Sequence, residues 1–343
     1  MIRSLFTRLL FLFIFFSAPI YGQDQPGTGY AFPFLTFTPD VRSAALGESV
    51  LGSQVFPDYA AGFAASYTPY LRNTAADVHL GYISGFKRLS DRMAIGTSVR
   101  YFSFGAVALV DAGQQSLGTS HPNEVAIDGT ISRQFGQQLF LSSTIRIVQA
   151  NHVADQSSTA ASFDAVLIFR TLNHYTFGLS VSNIGNTVSR PSGSIRYFLP
   201  ARLVVGGTRL LPLEGKSHLL FSLEAQRLMI PTKLAAYPLI DMSVPASIVK
   251  SFGDAGGFKE ELQETGLNMG MEYQLPAPIA LRAGVSLRNP VQNYHSYVTL
   301  GAGLNLHPLH VDLAYTAANE RRNPMGNTLR FGLAYYFGAA KGQ

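Results

Sequence analysis

Cysteine is absent from this 343-residue chain. That one absence excludes a disulfide scaffold, a thiolate zinc site and a cysteine nucleophile. Charge is scarce as well. Asp, Glu, Lys and Arg make up 14% of the residues, against roughly 25% in a typical soluble domain. Such low charge argues against a disordered chain and suits a membrane protein. Yet past the N-terminus no run approaches the ~18 apolar residues of a spanning helix, so a helical membrane protein is excluded. Basic residues exceed acidic ones by only five and form no run, so nucleic acid is not an expected partner. What the chain does have is 32 Gly, 16 Tyr and 24 Phe. Hydrophobicity spread over alternate residues leaves two classes, a soluble β-rich protein or an outer-membrane barrel.

Chemical motifs are missing too. There is no His-Glu-x-x-His, no Gly-x-Ser-x-Gly and no P-loop. His307 and His310 are close but have no third ligand beside them, and a zinc site needs three or four. No catalytic, metal or cofactor residue is therefore expected, and the chain does not read as an enzyme.

The first stretch reads as an export signal. Arg3 and Arg8 precede the apolar run Leu9 to Phe16, and Ser17, Ala18, Pro19 and Gly22 follow. This is the secretory pattern, with residues 1–22 removed and Gln23 left first. Without Arg3 and Arg8 the 26 basic residues become 24, against 21 acidic ones, a net +3.

From about residue 63 to residue 337 the chain alternates. Ile279, Leu281, Ala283, Val285 and Leu287 share one face, with Ala280, Arg282, Gly284, Ser286 and Arg288 opposite. Val298, Leu300, Ala302, Leu304 and Leu306 oppose Thr299, Gly301, Gly303 and Asn305. Met93 to Phe102 and Leu139 to Val148 repeat the pattern, with Arg100 and Arg146 on the polar face. Period two with one apolar face is a half-buried strand. An arginine at Leu300 should therefore disrupt insertion, and one at Thr299 should be far milder.

Connector lengths alternate independently. Short links at 87–92, 136–138, 171–175, 211–217, 275–278 and 307–308 interleave with longer ones at 103–123, 151–159, 182–194, 229–265, 289–296 and 318–327. Short turns facing long loops are the pattern of an outer-membrane barrel. The expectation is an all-β, transmembrane antiparallel β-barrel of about fourteen strands, embedded in outer-membrane lipid. Residues 338–343 are left as a tail. Residues 23–62 precede the first strand. Their small-residue run Ser43 to Gly47 suits a hatch inside the lumen; the other reading is a periplasmic tail.

Several segments resemble one family along nearly the whole mature chain. They are Phe34-Leu-Thr-Phe-Thr-Pro-Asp-Val-Arg-Ser-Ala-Ala-Leu-Gly47, Ser66-Tyr-Thr-Pro-Tyr-Leu71, Arg100-Tyr-Phe-Ser-Phe-Gly105 and Pro122-Asn-Glu-Val-Ala-Ile-Asp128. Ser251-Phe-Gly-Asp-Ala-Gly-Gly-Phe-Lys-Glu-Glu-Leu262 is the most specific, and Asn327-Thr-Leu-Arg-Phe331 closes the series. These resemble PorV, the outer-membrane protein of the type IX secretion system, a FadL-like barrel of fourteen strands. The resemblance implies a cargo shuttle. Partners would be a SprA-like translocon, cargo proteins with C-terminal secretion domains, and a PorU-like attachment complex. Asp40 and Arg42 of the opening segment would belong to the hatch. Relatives carry a Trp-Asn-Pro-Ala-like segment before the first strand. Here Val55 to Ala64 runs straight into it and the chain has no Trp, which implies a shortened hatch. Two alternatives stay open: a FadL-like transporter of hydrophobic small molecules, and a PorQ-type barrel of the same pathway.

Two further groups stand out. Arg100, Arg146, Arg282 and Arg330 either line a pore or pair with lumen acids such as Asp312 or with the hatch. Buried charges are normally paired, which favours pairing. In the 229–265 connector a Gly-rich turn precedes Phe258-Lys-Glu-Glu-Leu262. Phe258 and Leu262, four apart, would share a face of a short helix. Phe252, Phe258 and Leu262 would then be apolar anchors, with Asp254, Glu260 and Glu261 in a charged rim, a composition suited to docking a protein.

Overall fold

Alternation on this scale can satisfy the backbone only by closing on itself, because a membrane offers no water to an open sheet edge. The computed structural model describes residues 30–51, 58–70, 77–110, 113, 115–152, 156–189, 196–215, 217–231, 242–254, 257, 263–288, 296–318 and 326–339. The first half of the sheet consists of β1 (Tyr59–Pro69), β2 (Val78–Ser90), β3 (Met93–Phe104), β6 (Asn123–Phe135), β7 (Leu139–Asn151), β8 (Ser157–Arg170) and β9 (Tyr175–Gly185). The second half is β12 (Arg202–Pro212), β13 (His218–Leu228), β14 (Gly266–Gln274), β15 (Ile279–Leu287), β16 (Tyr297–Leu306), β17 (Leu309–Ala318) and β18 (Thr328–Ala339). These fourteen strands form one closed antiparallel barrel, with β1 paired to both β2 and β18. Two small hairpins lie outside it: β4 (Val107–Val110) with β5 (Ser116–Ser120), and β10 (Val188–Ser189) with β11 (Arg196–Tyr197).

All six expected tight connections gather at one end, hereafter the turn end, and the long ones at the other, the loop end. Strand limits differ from the alternation at both termini. β1 starts at Tyr59 and not at 63, and β18 runs to Ala339 and not to 337. Ala60, Ala61 and Gly62 show no polar contrast, yet aromatic packing holds them in the sheet: the Tyr59 ring stacks on Tyr336 at 4.6 Å. Residues 1–29, with the expected export signal, and residues 340–343 lie outside the described residues.

The side-chain faces follow the alternation. Leu281, Leu300, Leu313 and Phe331 are exposed on the outer wall, where lipid would cover them, and Arg282, Thr299, Ala314 and Arg330 are buried inside. Aromatics ring the turn end, as expected of a membrane interface. There Phe337, Phe135 and Phe169 are exposed, and the Arg133 guanidinium covers the Phe135 ring at 5.2 Å.

Candidate functional site

The lumen is filled by the chain's own N-terminal segment, residues 30–51. It starts near the loop end, where Ala31 N–H donates to Phe198 O at 2.8 Å. A 3-10 turn at Pro33–Thr36 then places Phe34 and Leu35 in an apolar cluster with Tyr70, Leu80, Phe102, Val148 and Leu199. The short helix Val41–Ala45 follows. Asp40 caps it, its carboxylate accepting from Ser43 N–H at 2.8 Å, which satisfies one of the orphan donors of a helix start.

That helix lies against β15–β18, where the wall is built to admit it. A Cβ added at Gly284 would come within 2.1 Å of Gly47 N, and one at Gly301 within 2.4 Å of Ala45 Cβ. Gly284→Ala should therefore cost about 1–3 kcal/mol through overpacking. The inner segment should become protease-sensitive while the barrel itself stays heat-modifiable on a gel.

Charge then fixes the segment. Arg42 Nε and Nη2 donate to the two oxygens of Glu272 at 2.8 and 2.9 Å. Glu272 also accepts from Arg282 Nε at 2.6 Å, and Arg282 reaches Asp312 at 2.5 Å. Burial opposes the charge on Arg42, but the hydrogen bonds and charge of Glu272 more than offset it, raising its pKa above the ordinary arginine value. Glu48 pairs with Arg330 at 2.8 Å. Glu224 accepts from Ser49 Oγ at 2.5 Å, Val50 N at 2.9 Å and Leu51 N at 2.8 Å. Thr299 Oγ1 accepts from Gly47 N at 3.0 Å and donates to Ala45 O at 2.9 Å.

The segment is thus held unequally. Residues 40–51 are tied to β13–β18 by directional, charge-assisted bonds, the stronger kind. Residues 32–37 rest on β2–β8 through apolar and aromatic contacts, such as Phe37 with Phe102 at 5.7 Å, and on Tyr70 just past β1, with Phe37 at 5.2 Å. Tyr70 has a buried hydroxyl with no hydrogen-bond partner among the described residues, and burial pushes its pKa up to about 12.

Of the four lumen arginines, three pair with carboxylates. Arg146 meets Asp128 at 2.7 Å and Asp164 at 2.9 Å, and Arg282 and Arg330 are paired as above. Arg100 differs: among the described residues its Nη1 reaches only Phe37 O, at 3.5 Å. Glu48, Glu224 and Glu272 were not singled out by the sequence reading. Their signal is an acid at an inward position of a strand, or inside an otherwise small and apolar segment.

The second candidate region is the 229–265 connector. Its described helix is Val244–Lys250, with Ser243 at the N-cap and a proline in the first turn, a start signal that the sequence reading passed over. Phe252 is exposed, and its ring lies under the Arg227 guanidinium at 5.1 Å. Arg227 also donates to Ser251 O and pairs with Glu264 at 2.5 Å. Asp254 is buried, and neither of its carboxylate oxygens has a hydrogen-bond partner among the described residues. Phe258, Glu260, Glu261 and Leu262 lie outside the described residues. Among the described residues, no cluster of three or more His, Asp or Glu could hold a metal ion.

Several solved structures are similar to this barrel in fold. The TodX deltaS2S3 mutant, a monoaromatic hydrocarbon channel, has a similar structure, with a TM-score of 0.54 at 12% identity over 86% of this chain and 96% of that one. The Ralstonia pickettii toluene transporter TbuX gives 0.50 at 11% identity, over 88% and 94%. A Pseudomonas aeruginosa FadL homologue gives 0.48 at 12%, over 86% and 98%. At such identities the likeness establishes the fold and nothing of what is bound. No curated protein matches the sequence. The family model described as "Type IX secretion system protein PorV" matches residues 22–235, more than half of the chain. With that match over more than half of its length, the chain belongs to the PorV family of type IX secretion system proteins.

Proposed function

We propose that this barrel binds secreted cargo through its C-terminal secretion domain at a SprA-like translocon and carries it to a PorU-like attachment complex. Export would follow cleavage after Gly22, and residues 23–62 would act as the hatch. The observation that carries this reading is the filled lumen. Segment 30–51 is bound to the wall through Glu272, Glu224 and Arg330, so work on a large partner falls to the loop end. Binding residues gather on loops of a rigid scaffold, and long loops of such barrels face the exterior. The 229–265 connector is the longest of them. Phe252 offers an exposed anchor there, with Phe258 and Leu262 nearby in sequence and Glu260 and Glu261 supplying charge; Asp254, expected in that rim, is buried and contributes no exposed charge.

Buried aromatics outweigh rim charges at interfaces. Phe258→Ala should therefore weaken capture of cargo C-terminal domains or translocon by about tenfold or more, with Glu261→Ala much milder. Pull-downs with each variant measure this, and heat-modifiability on a gel controls for folding. Normal capture of both partners by a variant lacking residues 253–264 would remove the connector from the mechanism.

A second reading, passage of hydrophobic small molecules, draws on one feature of the wall. The β8–β9 ladder shifts register between Phe163 and Ala165, where Asn183 adopts a positive φ of 59°. Uptake of a hydrophobic hydrocarbon by cells carrying the barrel would favour it.

A further inference from the structure

The loop end of the lumen holds two arginines that form no direct ion pair with a carboxylate among the described residues. Arg202 is the first residue of β12, and Arg288 follows the last residue of β15. Both are half-buried. The amide of Gln226, itself buried, lies between their guanidinium groups. Arg202 Nη1 donates to Gln226 Oε1 at 3.4 Å, and the other end of the amide abuts Arg288. An amide has an oxygen at one end only. With the oxygen toward Arg202 its NH₂ faces Arg288; turned over, the oxygen accepts from Arg288 and the NH₂ faces Arg202. In either orientation one guanidinium meets a donor.

The surroundings do not relieve this. Asn268 and Ser286, both neutral and fully buried, lie behind the amide, with Gln226 Nε2 to Asn268 Oδ1 at 3.3 Å and Ser286 Oγ to the same oxygen at 3.0 Å. Arg202 Nε is buried and has no hydrogen-bond partner among the described residues. Nearby acids are engaged elsewhere: Glu48 with Arg330, Glu224 with Ser49, Val50 and Leu51, and Glu264 with Arg227. Gly266 leaves the space that Arg288 occupies, since a Cβ there would lie 2.1 Å from its Nη1.

Partly desolvated charges gain from a counter-charge, and the planar guanidinium fork matches a carboxylate or phosphate. We propose that Arg202 and Arg288 form an oxyanion-binding subsite at the loop end of the lumen, which takes a carboxylate or phosphate group carried by a ligand entering there. This rests on the barrel's own side chains and is independent of the cargo reading.

The test is calorimetric titration of the full-length barrel, in non-ionic detergent, with sodium phosphate and separately with sodium acetate. Sodium chloride at matched ionic strength is the control. Saturable binding of at least one oxyanion is expected, weakened about tenfold or more by Arg202→Gln and by Arg288→Gln. The preferred probe tells phosphate from carboxylate, and competition by phosphatidylglycerol added to the micelles identifies a lipid headgroup as a source able to reach the site. Without any oxyanion, Arg288→Gln should keep or raise the temperature of heat modification, because it removes one of two crowded cations. Should Arg202→Gln yield no heat-modifiable barrel, Arg288→Gln decides, since it lies beyond the end of β15. The proposal is overturned if neither probe binds better than chloride, if both variants bind as the parent does, or if Arg288→Gln lowers the unliganded transition.

Discussion

Glu272→Ala should release the inner segment from the wall. The carboxylate is buried and shared: Arg42 holds both of its oxygens, and Arg282 holds one of them from the neighbouring strand. Removing it leaves two guanidinium groups in the lumen, of which Arg282 keeps Asp312 and Arg42 loses the carboxylate that anchors its helix. Breaking a fully buried ion pair from one side costs about 3–5 kcal/mol; the cost here falls below that range, because Arg42 is 31% exposed and Arg282 keeps Asp312. Arg42→Met is the informative companion. It leaves Glu272 with Arg282 and should cost much less. Because the chain has no cysteine, Ala44→Cys supplies a single thiol on the buried helix. Its labelling by a membrane-impermeant maleimide should rise strongly in the Glu272→Ala background and little in the Arg42→Met background. Equal protection in all three proteins would mean that packing against Gly284 and Gly301, and not charge, holds the segment.

The barrel was legible in the sequence wherever side chains differ in polarity from one residue to the next. Leu281 beside Arg282, or Leu300 beside Thr299, fixes which way each points, since a slip of one residue would invert every face. Legibility failed where that contrast is missing. Tyr59 to Gly62 begin β1 through ring stacking on Tyr336, which hydropathy does not encode. The β4–β5 hairpin sits inside the 103–123 connector, where Val107-Ala-Leu-Val110 has no polar face. Within the site, the family resemblance assigns Asp40 and Arg42 to the hatch, and the sequence favours pairing of the lumen arginines with acids such as Asp312 or with the hatch. Their actual partners were not readable. Arg42 and Glu272 are separated by 230 residues, and Ser49 and Glu224 by 175. Such pairs exist only once the barrel has closed and brought β13 and β14 against the segment.

Leu300→Arg and Thr299→Arg should both do damage, by different routes and with different signatures. Leu300 lies mid-strand in β16 and is 54% exposed on the outer wall. An arginine on the lipid face near the midplane costs about 2–4 kcal/mol, because its charge must be buried in hydrocarbon or drawn out to the interface. The expected result is poor insertion, with loss of the heat-modifiable band. Thr299 points the other way, and alternation alone makes it a mild site. Its surroundings say otherwise. It is fully buried, and its hydroxyl bonds both Gly47 N and Ala45 O, while the neighbouring Gly301 leaves no room beside Ala45. An arginine there meets the helix Val41–Ala45, loses both hydrogen bonds and must push the segment aside. Insertion should survive, since the lipid face is unchanged, and the Ala44→Cys thiol should become reactive. Loss of the heat-modifiable band from Thr299→Arg with the Ala44→Cys thiol still protected would mean that Thr299 faces lipid and that the register of β16 is inverted.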